Sequence, residues 1–131
     1  MIRPRVLLAD DHSAFLERTA ALLEPQFQIV GTVADGAALV SEALRLSPDV
    51  IVADVTMPGL SGIDAAHRLR ELASTARIVF LTIHSEEQFV EACTAEGGLG
   101  YVVKSQMRAH LIPAVHAALI GAPYVSPLVS K

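Results

Sequence analysis

A chain of 131 residues has the length of one domain, and 52% hydrophobic residues supply enough material for a core. A formal net charge of −4 and a pI near 5.6 argue against nucleic acid or an anionic membrane as a direct partner. Arg3 and Arg5 do not change this balance and read as a solvated end.

The chain alternates two periods. Val6-Leu7-Leu8-Ala9 is a short apolar run, followed by Phe15, Leu16, Thr19, Leu22 and Leu23 at the spacing of one helix face. Ile29 to Val33 is the second run. Leu39, Val40, Ala43 and Leu44 then mark a second helix, with Asp35 as its N-cap. Val50 to Ala53 is wholly apolar, and Ala65, Ala66, Leu69 and Leu72 mark a third helix. Ile78 to Leu81 precedes a fourth, on Phe89, Val90 and Ala92, in which the lone Cys93 reads as a buried small hydrophobe. Gly100 to Val103 is the last run, and Leu111, Val115, Ala118 and Leu119 form the fifth helix, which Gly121 stops. Pro113 belongs in a first turn, where no intrahelical bond is lost, so this helix is expected to start near His110.

Short runs rich in β-branched residues suit strands buried on both faces. Strict strand–helix alternation predicts an α/β fold, a parallel five-stranded sheet between two helical layers in the order 2-1-3-4-5. The domain is expected to span 1–121. Residues 122–131, APYVSPLVSK, lose periodicity and read as a tail or the start of a linker. One cysteine, no apolar run of the ~18 residues that a bilayer requires, and an opening segment too short and too acidic for a signal peptide point to the cytoplasm.

The polar residues gather at one edge. Parallel strands present their carboxyl ends together, so Asp10-Asp11, Asp54, Thr82 and Lys104 all face the same side. Three adjacent carboxylates repel unless compensated, and an all-oxygen donor set selects a hard divalent cation such as Mg²⁺. Lys104 and such a cation together cancel the three negative charges. The chain has eight arginines and two lysines, the other being the terminal Lys131. A lysine at this one strand end indicates a need for a compact point charge.

The set Asp10-Asp11, Asp54-x-x-Met57-Pro58-x-x-x-Gly62, Thr82 and Gly100-Tyr101-Val102-Val103-Lys104 resembles the receiver domain of two-component response regulators over about residues 3–121. The tail Gly121-Ala-Pro-Tyr-Val-Ser-Pro resembles the linker of the NarL/FixJ subfamily, which carries LuxR-type output domains. The resemblance implies a flavodoxin-like (βα)5 fold in which Asp54 accepts a phosphoryl group from a sensor histidine kinase. It implies Mg²⁺ on Asp10, Asp11, Asp54 and the backbone carbonyl of Thr56. Lys104 and Thr82 would serve the transfer, Thr82 and Tyr101 the switch, and Thr56 and His84 the lifetime of the phosphoryl group. It further implies homodimerisation through receiver surfaces, through helices 1 and 5 or through helix 4, strand 5 and helix 5, and DNA binding only through a domain outside this chain. Such a protein is a phosphoacceptor with self-catalysed transfer and autodephosphorylation, not an enzyme with turnover.

Two departures from the family pattern stand out. Ser105 follows the lysine where many relatives have proline, and Gly97-Gly98-Leu99 replaces the commoner Gly-Ala-x, which is expected to loosen the loop before strand 5. The alternatives are a stand-alone receiver, a phosphorylation-independent interaction module, an aspartate-nucleophile phosphatase and a flavodoxin-like binding module. The phosphatase lacks its second acid, since Thr56 stands there. The binding module lacks a hydroxyl-rich loop after strand 1, where Asp10-Asp11-His12 stands. His12 reads as a helix-start residue, and His67, His110 and His116 show no mutual ligand spacing.

Overall fold

A computed structural model describes residues 3–128. Its strands are β1 (Arg5–Ala9), β2 (Gln28–Val33), β3 (Val50–Ala53), β4 (Arg77–Thr82), β5 (Gly100–Val103) and β6 (Tyr124–Val125). Its helices are α1 (Ser13–Leu23), α2 (Gly36–Leu46), α3 (Gly62–Glu71), α4 (Glu87–Ala95) and α5 (Met107–Leu119). All pairings are parallel, in the order β2-β1-β3-β4-β5-β6. The flavodoxin-like α/β architecture is as the sequence predicts, with one short strand added.

The apolar runs are buried on both faces because helices cover both. Leu7, Ile51, Phe80 and Tyr101 pack with Leu39, Ala65, Leu69 and Cys93 of α2, α3 and α4. Val6, Leu8, Val52 and Val102 pack with Leu23 of α1 and with Leu111 and Val115 of α5. Asp35 caps α2 by accepting the Ala38 amide at 2.7 Å, and Ser61 caps α3 by accepting the Asp64 amide at 3.1 Å. Burial pushes the Cys93 thiol up to about 12, consistent with an inert core residue. Among the described residues, no helix is long and apolar enough to cross a membrane.

Several expectations are corrected. The fifth helix starts at Met107, not near His110, so Pro113 lies inside it. Met107, Leu111 and Val115 are buried on this helix, at about 1.5–3 kcal/mol each. Together they outweigh the ~3 kcal/mol cost of an interior proline. Pro113 and Ala109, whose carbonyl loses its helical donor, both face water. Residues 122–128 are not a plain tail: Tyr124 and Val125 pair with Gly100 and Tyr101, and Ser126 is buried. The rest of that segment, Val129 to Lys131, lies outside the described residues.

Leu44 and Leu72, assigned to buried helix faces, are 48% and 47% exposed. Leu72 is already the C-cap of α3, beyond the part that meets the sheet. Arg5 is not merely solvated. Its guanidinium donates to the carbonyls of Leu46 and Ser47 at 2.6 and 2.9 Å, closing the end of α2. Nor is the Gly97-Gly98 loop loose. The Gly98 amide donates to Cys93 at 2.9 Å, and a Cβ there would meet the Phe80 ring at 2.7 Å.

Candidate functional site

Register creates the cleft. Ala9 pairs with Val33 on one side and Ala53 on the other, so the next residues, Asp10 and Asp54, emerge side by side. The ladder runs one step further to hold them, with the Asp10 amide donating to Val33 and the Asp54 amide to Ala9. Thr82 pairs with Val103, which places Lys104 beside them on the same edge.

Lys104 closes the arrangement. Its ammonium lies 2.7 Å from Asp10 Oδ2 and 2.9 Å from Asp54 Oδ2, and all three side chains are at most 8% exposed. Burial alone would lower the Lys104 pKa, but the hydrogen bonds it donates to Asp10 and Asp54, and their charges, outweigh it and raise it above its ordinary value. Lys104 is therefore a cation throughout the neutral range. The Phe15 ring centroid lies 4.5 Å from the same nitrogen.

The other predicted residues surround this pair. The His12 amide donates to Asp10 Oδ1 at 2.9 Å, and its ring lies 3.3 and 3.2 Å from Asp10 and Asp11 carboxylate oxygens. Asp10, Asp11, His12 and Asp54 each offer one ligand atom, all within 4.8 Å of one another. Three carboxylates in that space, of which Asp11 and Asp54 line a cleft of about 200 Å³, fit a hard divalent cation by donor chemistry. The Thr56 amide donates to Asp54 Oδ1 at 3.3 Å, and the Thr56 hydroxyl meets His84 Nε2 at 3.0 Å.

Thr82 is fully buried, and its oxygen accepts a long bond from the His84 amide at 3.4 Å. Tyr101 is buried, with its hydroxyl donating to the His84 carbonyl at 2.7 Å. Burial raises the Tyr101 pKa, so the hydroxyl stays protonated as a donor. Gly62 explains the Met57-Pro58 turn: a Cβ there would lie 1.9 Å from the Asp54 carbonyl oxygen, so only glycine lets α3 begin this close.

Two aromatic residues belong to the site although their spacing marks only helix faces. Phe15 lies against Lys104, and Phe89 stacks on the His84 ring at 4.1 Å and 12°. Periodicity reports the face of a helix; it does not report which residue at the end of that face meets a charge. His12 is likewise more than a helix start, since its ring reaches both acids.

The family model described as "Response regulator receiver domain" matches residues 6–116. The transcriptional regulatory protein LiaR of Bacillus subtilis is 36% identical over 121 residues, which is 91% of this chain and 57% of that protein. The nitrate/nitrite response regulator protein NarP of Escherichia coli is 33% identical over 129 residues, or 97% of this chain and 60% of that protein. The chain thus spans somewhat over half the length of these relatives. A crystal structure of a LuxR-family two-component response regulator from Aurantimonas aligns with a TM-score of 0.91 at 34% identity, covering 95% of this chain and 91% of that one. With the acids, lysine, threonine and tyrosine arranged at one sheet edge, the chain belongs to the receiver domain family of response regulators and is related to its LuxR-type members.

Proposed function

We propose that Asp54 is the phosphoacceptor of this receiver and that a sensor histidine kinase is the donor. The observation that carries this is the Lys104 bridge: one oxygen of Asp54 is fixed at 2.9 Å from an ammonium, both side chains nearly buried at the base of a cleft that opens to solvent. A carboxylate is already a nucleophile, so no separate base is needed. An Asp54 oxygen forms the new bond to phosphorus while the bond from phosphorus to the kinase imidazole breaks, its electron pair returning to the ring nitrogen. The transition state spreads charge over three oxygens, and catalysis rests on position and electrostatics.

Lys104 supplies the fixed positive charge. Thr82 keeps its hydroxyl proton for a phosphoryl oxygen. Mg²⁺, held by Asp10, Asp11, Asp54 and the Thr56 carbonyl, would neutralise the phosphoryl charge. The Thr56–His84 pair covers the mouth of the cleft, and we assign to it the lifetime of the aspartyl phosphate. Hydrolysis by water returns Asp54 and inorganic phosphate, so the chain is a self-catalysing phosphoacceptor and not a turnover enzyme.

The switch follows from the same contacts. Movement of Thr82 toward a phosphoryl group pulls on the His84 amide, and the His84 carbonyl holds Tyr101. The output is then transcription regulation through a DNA-binding domain outside this chain, with pairing of two receivers on phosphorylation. This rests on the kinship with LiaR and NarP. A pairing face built on α4, β5 and α5 would include β6, which flanks β5. Intact mass after incubation with acetyl phosphate and Mg²⁺ tests the assignment. Wild type gains one labile phosphoryl group and Asp54→Asn gains none; no adduct on wild type, or an equal one on the variant, would falsify it.

A further inference from the structure

We propose that Phe15 is a positioning residue for phosphoryl transfer, its ring face holding the Lys104 ammonium in place between Asp10 and Asp54. This rests on the reading of Asp54 as phosphoacceptor. An ammonium has three donors. Two go to Asp10 Oδ2 at 2.7 Å and Asp54 Oδ2 at 2.9 Å, and the Phe15 centroid lies 4.5 Å from the same nitrogen, well inside cation–π range. The Lys104 side chain is 8% exposed, a setting in which loss of water strengthens such a contact.

The chain connects the two partners through the elements that carry the charges. Phe15 is the third residue of α1, which begins three residues after Asp10. Its ring is half-buried against the cluster that includes Leu8 and Val102. Lys104 opens the turn that leads into α5. Phe15 thus ties the loop after β1 to the loop after β5 directly at the reacting centre.

An aromatic ring suits this position better than the alternatives. A carboxylate would add a fourth negative charge to the cleft. A hydroxyl or amide would compete with Asp10 and Asp54 for the ammonium protons. A leucine would exclude water without attracting the cation. The attraction to a ring face is also broad, so the ammonium can pass from the Asp54 oxygen to a phosphoryl oxygen without losing its support. Arg18 lies 5.2 Å from the same ring, but it is exposed, where such contacts are weak.

The test replaces Phe15 with 4-fluoro-, 3,5-difluoro- and 3,4,5-trifluorophenylalanine, which keep its shape while draining the negative face. Phosphorylation rate from acetyl phosphate with Mg²⁺ is read for each, beside Phe15→Leu and Phe15→Trp. The expected rates fall stepwise with fluorination, drop about three- to tenfold in Phe15→Leu, and recover in Phe15→Trp. NMR gives an independent readout: the Lys104 methylene signals next to the ammonium should lose their ring-current shift in Phe15→Leu. Wild-type rates throughout the fluorinated series, with the adduct confined to Asp54, overturn this proposal alone. An adduct that survives Asp54→Asn overturns the phosphoacceptor reading and this proposal with it.

Discussion

Two charge clusters sit at opposite ends of the sheet, built from similar residue types with different consequences. At the carboxyl ends of the strands, Lys104 bridges Asp10 and Asp54 at 2.7 and 2.9 Å with side chains 6–8% exposed. At the other end, where α3 and α4 finish, His67 meets Glu96 at 2.8 Å and Glu71 at 3.5 Å, and Arg70 meets Glu96 at 3.5 Å, with side chains 24–59% exposed. The distances overlap, so distance does not distinguish them. Burial does. Taking charge out of water makes each partner depend on the others, whereas water screens the exposed cluster.

The largest expected effect breaks the buried cluster. Lys104→Met leaves two neighbouring carboxylates without a counter-charge and should cost about 3 kcal/mol of stability in the absence of divalent ions. Urea denaturation measures it, and Mg²⁺ should restore part of the loss; an unchanged midpoint would show that the bridge is not a structural tie. The sign of its pH dependence follows from the raised Lys104 pKa. The stabilisation is fully present below the ordinary lysine value and is lost only as pH rises through the folded one.

Gly62→Ala tests the backbone behind the same cluster. The added Cβ would sit 1.9 Å from the Asp54 carbonyl oxygen, and neither group can rotate away. A loss of about 2 kcal/mol and slower labelling of Asp54 are expected, because the end of β3 must shift. Normal labelling in a destabilised variant would separate packing from positioning.

Ser126→Ala probes a neutral buried bond as the standard between the two extremes. The Ser126 hydroxyl accepts the Val103 amide at 3.0 Å, one residue before Lys104, and the Ser126 amide donates to Tyr101 at 2.9 Å. Losing the hydroxyl should cost about 1 kcal/mol and speed hydrogen exchange at Val103. Unchanged exchange there would mean that β6 does not depend on this bond.

That strand also marks the limit of what the sequence makes legible. The alternation of apolar runs and amphipathic segments reveals the five strand–helix units, because a short, continuously apolar run is distinct from a longer segment with apolar residues at the 3.6 period. The cleft is legible for a topological reason: parallel strands must present Asp10, Asp54, Thr82 and Lys104 on one edge. Tyr124 and Val125 are too few to show a period, and they lie between prolines that signal a loop. The start of α5 at Met107 is hidden by Pro113, since local propensity loses to the burial of Leu111 and Val115. Phe15 and Phe89 follow the helix period whether or not a charge or an imidazole lies above them. The pairing of His67 with Glu96 joins residues 29 positions apart at two helix ends, which no local pattern encodes.

The smallest effect belongs to that exposed pair, and its direction is still defined. The hydrogen bond that His67 donates to Glu96, then the charges of Glu96 and Glu71, hold the His67 pKa above its ordinary 6.5. A raised folded-state value means that the pair contributes stability below about pH 6.5 and loses it as pH rises through the folded pKa. Glu96→Gln removes the larger cause, so the His67 titration followed by NMR should move down toward 6.5, while stability above that titration should change little because water screens the remaining Arg70–Glu96 contact. Labelling of Asp54 should also be unaffected, since the cluster lies at the far end of the sheet. A large loss of stability in Glu96→Gln above the His67 titration would contradict the contrast between the two ends, for it would require an exposed cluster to behave like the buried one around Lys104.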